Sequence, residues 1–148
     1  EYDEEDSLLE IAAGCGQVSF ALEKSGFKYI GICEFDGKRA RFAEFLINEF
    51  NSACQLHECD YRELNLNEFK VIFVVNAQSS ALGGQDYDLL SSAILNGTDV
   101  ILRFGKYGKD NTIFEYLSLN KQICEHHFPS SKDDDGVGFI KYTRVDSS

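Results

Sequence analysis

Apolar and polar positions alternate in blocks along this chain. Residues 8–12 form a short apolar run ending at Gly14-Cys15-Gly16, after which Val18, Phe20, Ala21 and Leu22 recur at helical spacing. The pattern predicts strand, tight turn and helix. It then repeats: an apolar run over 29–33 lies between Gly26 and the acidic pair Glu34 and Asp36, and a helical face of Ala40, Phe42, Ala43, Phe45, Leu46 and Phe50 follows. A third strand is predicted over 55–59, ending at Asp60, and a fourth over 70–75, the most strand-like stretch of all. Residues 76–85 read as a loop, and 86–95 as a helix with Asp86 as its N-cap. A fifth strand covers 99–104. A further helix begins near Asn111 or Thr112, with Ile113, Phe114, Tyr116, Leu117 and Leu119 expected on its inner side. Residues 123–128 and 139–145 are expected to pair as an antiparallel hairpin, with Pro129 opening its loop. Five alternations of strand and helix followed by a hairpin predict a Rossmann-like α/β fold: a doubly wound, mostly parallel sheet with a C-terminal antiparallel hairpin.

A length of 148 residues accommodates one domain, 1–148, with residues 1–6 expected to be a flexible acidic start. No apolar run approaches the roughly 20 residues of a membrane helix, and no signal-peptide pattern opens the chain. The expected setting is intracellular, nuclear in a eukaryote or cytoplasmic in a bacterium, with no membrane partner. Because the sequence contains no methionine, Glu1 is not an initiator, and the chain is expected to be an excised domain or processed fragment. The net charge of −11 opposes binding to phosphates, so contact with DNA is expected only through a larger assembly. The acidic runs at 1–6 and 133–135 lack ordered ligand spacing and are read as solvated rather than metal-binding. The five cysteines form no CxxC pair, which makes structural thiols in a reducing compartment the expectation.

Candidate chemistry gathers at the predicted strand ends, where open parallel sheets bind ligands. Gly14 and Gly16 allow a tight turn and close backbone approach. Glu34, ending the second strand, is placed to accept from two ribose hydroxyls. Asp60, ending the third with Tyr61 beside it, is placed to accept from an adenine amino group. Either carboxylate alone would be an ordinary turn residue; together, at successive strand ends after a glycine turn, they favour a nucleoside cofactor. The turn lacks the late third glycine of the dinucleotide fingerprint, so S-adenosylmethionine is preferred over a nicotinamide cofactor.

Residues 10–50, EIAAGCGQVSFALEKSGFKYIGICEFDGKRARFAEFLINEF, resemble the opening of a cytosine carbon-5 DNA methyltransferase. Glu10, Ala13, Gly14 and Gly16 match the family's first motif, residues 23–27 the end of the following helix, and Glu34 with Asp36 the acidic strand end. Asp60 falls where the third motif places its aspartate, and the resemblance covers residues 8–82. With it, the candidate cofactor-binding set is Glu10, Ala13, Gly14, Gly16, Glu34, Asp60, Tyr61 and Asn76. The family's attacking thiolate lies in a Pro-Cys-Gln loop, which Asn76-Ala77-Gln78 match here, and alanine cannot form that bond. A Glu-Asn-Val at the end of the fifth strand is replaced by Arg103-Phe104-Gly105, removing the glutamate that contacts a flipped base. Ala12 stands for the phenylalanine that packs on adenine, and Gln17 for a second glycine. No residue is therefore assigned a catalytic role, and none a metal.

The reading that follows is a methyltransferase-like pseudoenzyme acting as a regulatory or structural partner in DNA methylation. An active methyltransferase on another acceptor, and one subunit of a split DNA cytosine methyltransferase, are the alternatives. A protein partner is expected on apolar surface at Leu82, Phe104 and Tyr107. The pair His126-His127 is read as a surface or packing feature. Ser79 and Ser80 lack a placed base, and Arg103 and Lys106 are read as an anion or carboxylate contact.

Overall fold

A computed structural model of the chain describes residues 1–75, 82–104, 112–129 and 138–146. In chain order the elements are β1 (Ser7–Ile11), α1 (Gln17–Lys24), β2 (Tyr29–Cys33), α2 (Gly37–Glu49), β3 (Gln55–His57), β4 (Val71–Val74), α3 (Tyr87–Leu95), β5 (Asp99–Phe104), α4 (Thr112–Leu119), β6 (Ile123–Pro129) and β7 (Gly138–Arg144). The strands form one sheet in the order β3-β2-β1-β4-β5-β7-β6. Strands β1 to β5 pair in parallel, and β7 lies antiparallel between β5 and β6. The architecture is the Rossmann-like, mostly parallel sheet with an antiparallel C-terminal hairpin that the alternation predicts. The order reverses between β1 and β4, which places a switch point at the carboxyl end of β1.

The pleat sends successive residues to opposite faces, and both faces are covered. Leu9, Ile11, Ile72, Val74, Val100 and Leu102 share one core with Leu90 and Ile94 of α3 and Leu117 of α4. Leu8, Ile30, Ile32, Val71 and Phe73 form the other, against Val18, Phe20 and Leu22 of α1. Buried runs such as Val71–Val74 carry no polar alternation because neither face meets water.

Several details differ from the sequence pattern. No helix joins β3 to β4; two 3-10 turns, Tyr61–Glu63 and Leu66–Glu68, make the crossover. Strand β3 stops at His57, whose carbonyl accepts from the amide of Glu34 as the last rung. In α2 only Ala40 and Ala43 are fully buried, whereas Phe42 and Phe45, and Phe50 just past the helix end, are more than half exposed. The apolar residues of that helix wrap around it, and the small side chains face the sheet so that α2 can pack closely. In α4, Ile113 and Leu117 point inward while Tyr116 and Leu119 face out. Pro129 is the last paired residue of β6, opposite Gly138, rather than the first residue of the loop. The acidic start makes several contacts: the Tyr2 hydroxyl donates to Asp99 at 2.8 Å, the Glu4 carbonyl accepts from the Lys28 amide, and Glu5 pairs with Lys28. Among the described residues no helix is long and apolar enough to cross a membrane.

Candidate functional site

The parallel order β3-β2-β1 brings the carboxyl ends of three consecutive strands side by side, and the sequence-predicted cofactor residues Glu10, Gly14, Glu34 and Asp60 lie there. Past β1 the backbone turns sharply through positive φ at Ala12 (52°), Gly14 (62°) and Gly16 (83°). Alanine visits this region at a cost of about 1 kcal/mol, so the turn holds one strained non-glycine residue. A side chain on Gly16 would approach Ile32 to 2.8 Å. At Gly14, by contrast, an added Cβ would meet nothing within 4 Å. Gly16 thus serves close packing, and Gly14 borders open space. Ala13, just before Gly14, is buried and anchors the turn, its amide donating to the Cys33 carbonyl at 3.2 Å.

The turn is clasped by Glu34. Its Oε1 accepts the Gly14 amide at 2.8 Å and its Oε2 the Asp36 amide at 2.9 Å. A carboxylate offers about four lone-pair positions, so this 5% exposed group can still accept two further donors. Asp36 in turn caps α2, accepting from the amides of Lys38 and Arg39.

Glu10 lies on the face of β1 covered by α1 and has no solvent exposure. Its Oε1 accepts from the Ser19 hydroxyl at 2.7 Å and amide at 3.2 Å, while Oε2 has no hydrogen-bond partner. Burial pushes this carboxyl up to about 7, against the opposing Ser19 hydrogen bonds and with a smaller contribution from Glu34. Ser19 is a site residue the sequence reading missed. Its spacing from Glu10 carries no signal until α1 folds back over β1.

Asp60 starts the first 3-10 turn as its cap, accepting from the Arg62 amide at 3.0 Å, and Glu63 returns a bond to the Asp60 amide. The Arg62 amide first, and then its guanidinium, hold the Asp60 carboxyl below the ordinary aspartate range. Tyr61 is not free to stack on a ligand in the open. It is buried, and its hydroxyl donates to Asp86. Asp86, read from sequence as a helix cap, makes no capping bond to α3. It is fully buried and also accepts from Arg62 at 2.7 Å and from the Gly83 amide at 2.8 Å. Arg62 and Asp86 are therefore the second group missed in the sequence; only the fold brings them together.

Asn76, Ala77, Gln78, Ser79 and Ser80, with Gly105, Lys106 and Tyr107, lie outside the described residues, as does the side chain of Phe104. Arg103 is exposed at the end of β5 and reaches the Val75 carbonyl at 3.4 Å. Leu82, expected on an apolar surface patch, is instead 9% exposed and packed in the core that contains Leu90 and Ile113. His127 bonds Glu125 at 3.0 Å and His126 lies 3.2 Å from the Thr143 hydroxyl, both on the exposed hairpin. A separate cleft of about 450 Å³, lined by Phe20, Ala21, Glu23, Lys24 and Phe50, sits at the C-terminal ends of α1 and α2. Those helices run back along the sheet, so this cleft is at the end opposite Gly14 and Glu34.

No family model matches the sequence, and no curated protein is similar to it. Solved structures are similar in fold. A ribosomal protein L11 methylase of Lactobacillus delbrueckii superposes with a TM-score of 0.75 at 15% identity, over 96% of this chain and 71% of that one. The magnesium protoporphyrin IX methyltransferase of Synechocystis, with bound S-adenosylmethionine, gives 0.72 at 13% identity, over 95% and 71%. A Streptococcus pneumoniae protein designated a tRNA methyltransferase, in complex with S-adenosyl-L-methionine, gives 0.73 at 10%, over 97% and 69%. The chain has the fold of the class I S-adenosylmethionine-dependent methyltransferases. At these identities the likeness concerns the scaffold alone.

Proposed function

We propose that residues 1–148 form one S-adenosylmethionine-binding domain related to the cytosine carbon-5 DNA methyltransferases, without their covalent step, that works as a regulatory or structural partner of other proteins. The observation that carries this reading is the clasp of the Gly14 turn by Glu34, with open space at Gly14 and spare acceptor positions on a nearly buried carboxylate. Those features fit a nucleoside: Glu34 would accept from the ribose hydroxyls, Asp60 from the adenine amino group, and the small Ala12 and Ala13 would leave room beside the turn. Glu10 adds an unpartnered buried oxygen close behind, a polar atom of the sort a cationic amino-acid tail would relieve. When bound, the cofactor supplies an electrophilic methyl group. The chain's own residues bind and orient it.

The loss of chemistry is read from the sequence. Ala77 stands where a thiolate would add to cytosine C6, and Arg103 offers no acceptor where a glutamate would steady the activated base. The charge of −11 fits a reading in which DNA is contacted through a partner rather than by this domain, and the setting we propose is intracellular, the nucleus or the bacterial cytoplasm. A second reading, an active methyltransferase on another acceptor, draws on the similar structures, whose names span a protein, a porphyrin and a tRNA methylase. In that reading the chain would use proximity and orientation rather than covalent catalysis.

Calorimetry with S-adenosylhomocysteine and a methyl-transfer assay with labelled cofactor on DNA test the proposal together. Saturable binding, weakened at least about tenfold by Glu34→Gln, with no label on cytosine, is expected. Cytosine methylation by the purified chain, or no binding at about millimolar ligand, overturns it.

A further inference from the structure

We infer that Arg62, braced by the buried Asp86, is a positioning residue that aims Asp60 at a nucleoside base and sets the site's preference for adenine; this rests on the nucleoside reading above. The guanidinium spans two carboxylates. Its Nη1 lies 3.1 and 3.0 Å from the two oxygens of Asp60, and its Nη2 lies 2.7 Å from Oδ1 of Asp86. Its carbon sits 4.9 Å from the centre of the Tyr61 ring. Asp86 is an immobile brace because it is wholly buried and receives the Tyr61 hydroxyl and the Gly83 amide as well. Asp60 itself is partly exposed, its side chain at 34% against 0% for Asp86. One end of the fork is therefore fixed in the core and the other holds an open carboxylate at the rim.

A surface aspartate on a short 3-10 turn would otherwise sample several rotamers. Two contacts from Nη1 select one of them, and Nη1 is itself held in place because Nη2 of the same planar guanidinium is fixed on Asp86, a two-point brace that the single ammonium of lysine does not supply. The selected carboxylate is a pure acceptor. It favours a base edge presenting an amino group, as adenine does, and repels one presenting a carbonyl, as hypoxanthine does. The brace also ties this subsite to Gly83, at the entrance to α3, so the base edge and the chain after β4 share one anchor.

The test compares S-adenosylhomocysteine with S-inosylhomocysteine by calorimetry on the full chain, in the wild type, Asp60→Asn, Arg62→Ala and Arg62→Gln, with circular dichroism to verify folding. The wild type is expected to prefer the adenine form at least about tenfold. Asp60→Asn is expected to lose that preference, since an amide can donate to a carbonyl. Arg62→Ala is expected to bring the ratio to within about threefold of unity while retaining binding. Should Arg62→Ala not fold, Arg62→Gln, which keeps donors toward Asp86, is read in its place. A wild type that binds neither ligand sinks the nucleoside reading and this inference with it. A wild type that binds both equally overturns this inference while leaving the nucleoside reading in place. If the wild type discriminates and the Arg62 variants keep its ratio, or weaken both ligands equally, Arg62 is structural and the inference is overturned. Failure of both Arg62 variants to fold has the same meaning.

Discussion

The buried carboxyl of Glu10 makes a quantitative prediction about pH. Folding raises it from 4.5 to about 7, chiefly through burial. Between those values the folded chain binds more protons at this site than the unfolded chain, so stability falls as pH rises. The contribution is fully present below the unfolded value of 4.5 and lost above about 7. At about 1.4 kcal/mol per pH unit the full effect is on the order of 3 kcal/mol, most of it developed between about pH 5 and 8. Glu10→Gln removes the titration while keeping an oxygen for Ser19. Its extra NH2 group, placed where Oε2 has no partner, costs about 1–3 kcal/mol at every pH. That cost is independent of pH, so the informative quantity is the drift of the difference between variant and wild type. Urea unfolding at several pH values, followed by circular dichroism, should show the variant gaining on the wild type by on the order of 2–3 kcal/mol from pH 5 to 8, about 1 M in urea midpoint. Taking the difference cancels other groups, including His57, whose depression by burial acts with the opposite sign. A difference constant across that range would refute the account of Glu10.

Three further outcomes are expected. Tyr142 is wholly buried, with no partner for its hydroxyl among the described residues, so Tyr142→Phe should leave stability unchanged or raise it by up to about 1 kcal/mol; a clear loss in urea unfolding would show a missed hydrogen bond. Gly14→Ala should destabilise by about 1 kcal/mol through its φ of 62°, yet weaken S-adenosylhomocysteine at least about tenfold by filling the open space; unchanged affinity in calorimetry would place the ligand elsewhere. Gly16→Ala should destabilise more, by about 1–3 kcal/mol, because a φ of 83° is joined there by contact with the buried Ile32. Equal thermal midpoints for the two alanine variants would contradict that ranking.

What could be read from the sequence followed its physics. Strand β2 and strand β5 match the predicted spans at both ends, since short runs centred on β-branched and apolar residues and flanked by glycine or acidic residues have one sensible reading. The chain positions of Gly14, Glu34 and Asp60 were legible for the same reason, because each closes a run. Burial of aromatic residues was not. Phe42 and Phe45 stack on each other with ring centres 6.1 Å apart on the outer side of α2, and no local pattern separates them from the inward Ala40 and Ala43. Contacts between distant segments were equally hidden: Ser19 with Glu10, and Asp86 with Arg62, are fixed by packing rather than by spacing.

The order β5-β7-β6 has a bearing on biosynthesis. Strand β7, the last of the seven to leave a ribosome, is the one that must slide between its two predecessors, pairing with both along nearly its whole length. Until it emerges, β5 offers a bare flank and β6 has no strand to join, two unpaired edges of the kind that invite intermolecular pairing. Completion of the sheet is thus a late, long-range event, and a nascent chain paused before residue 138 would be the species most in need of a chaperone.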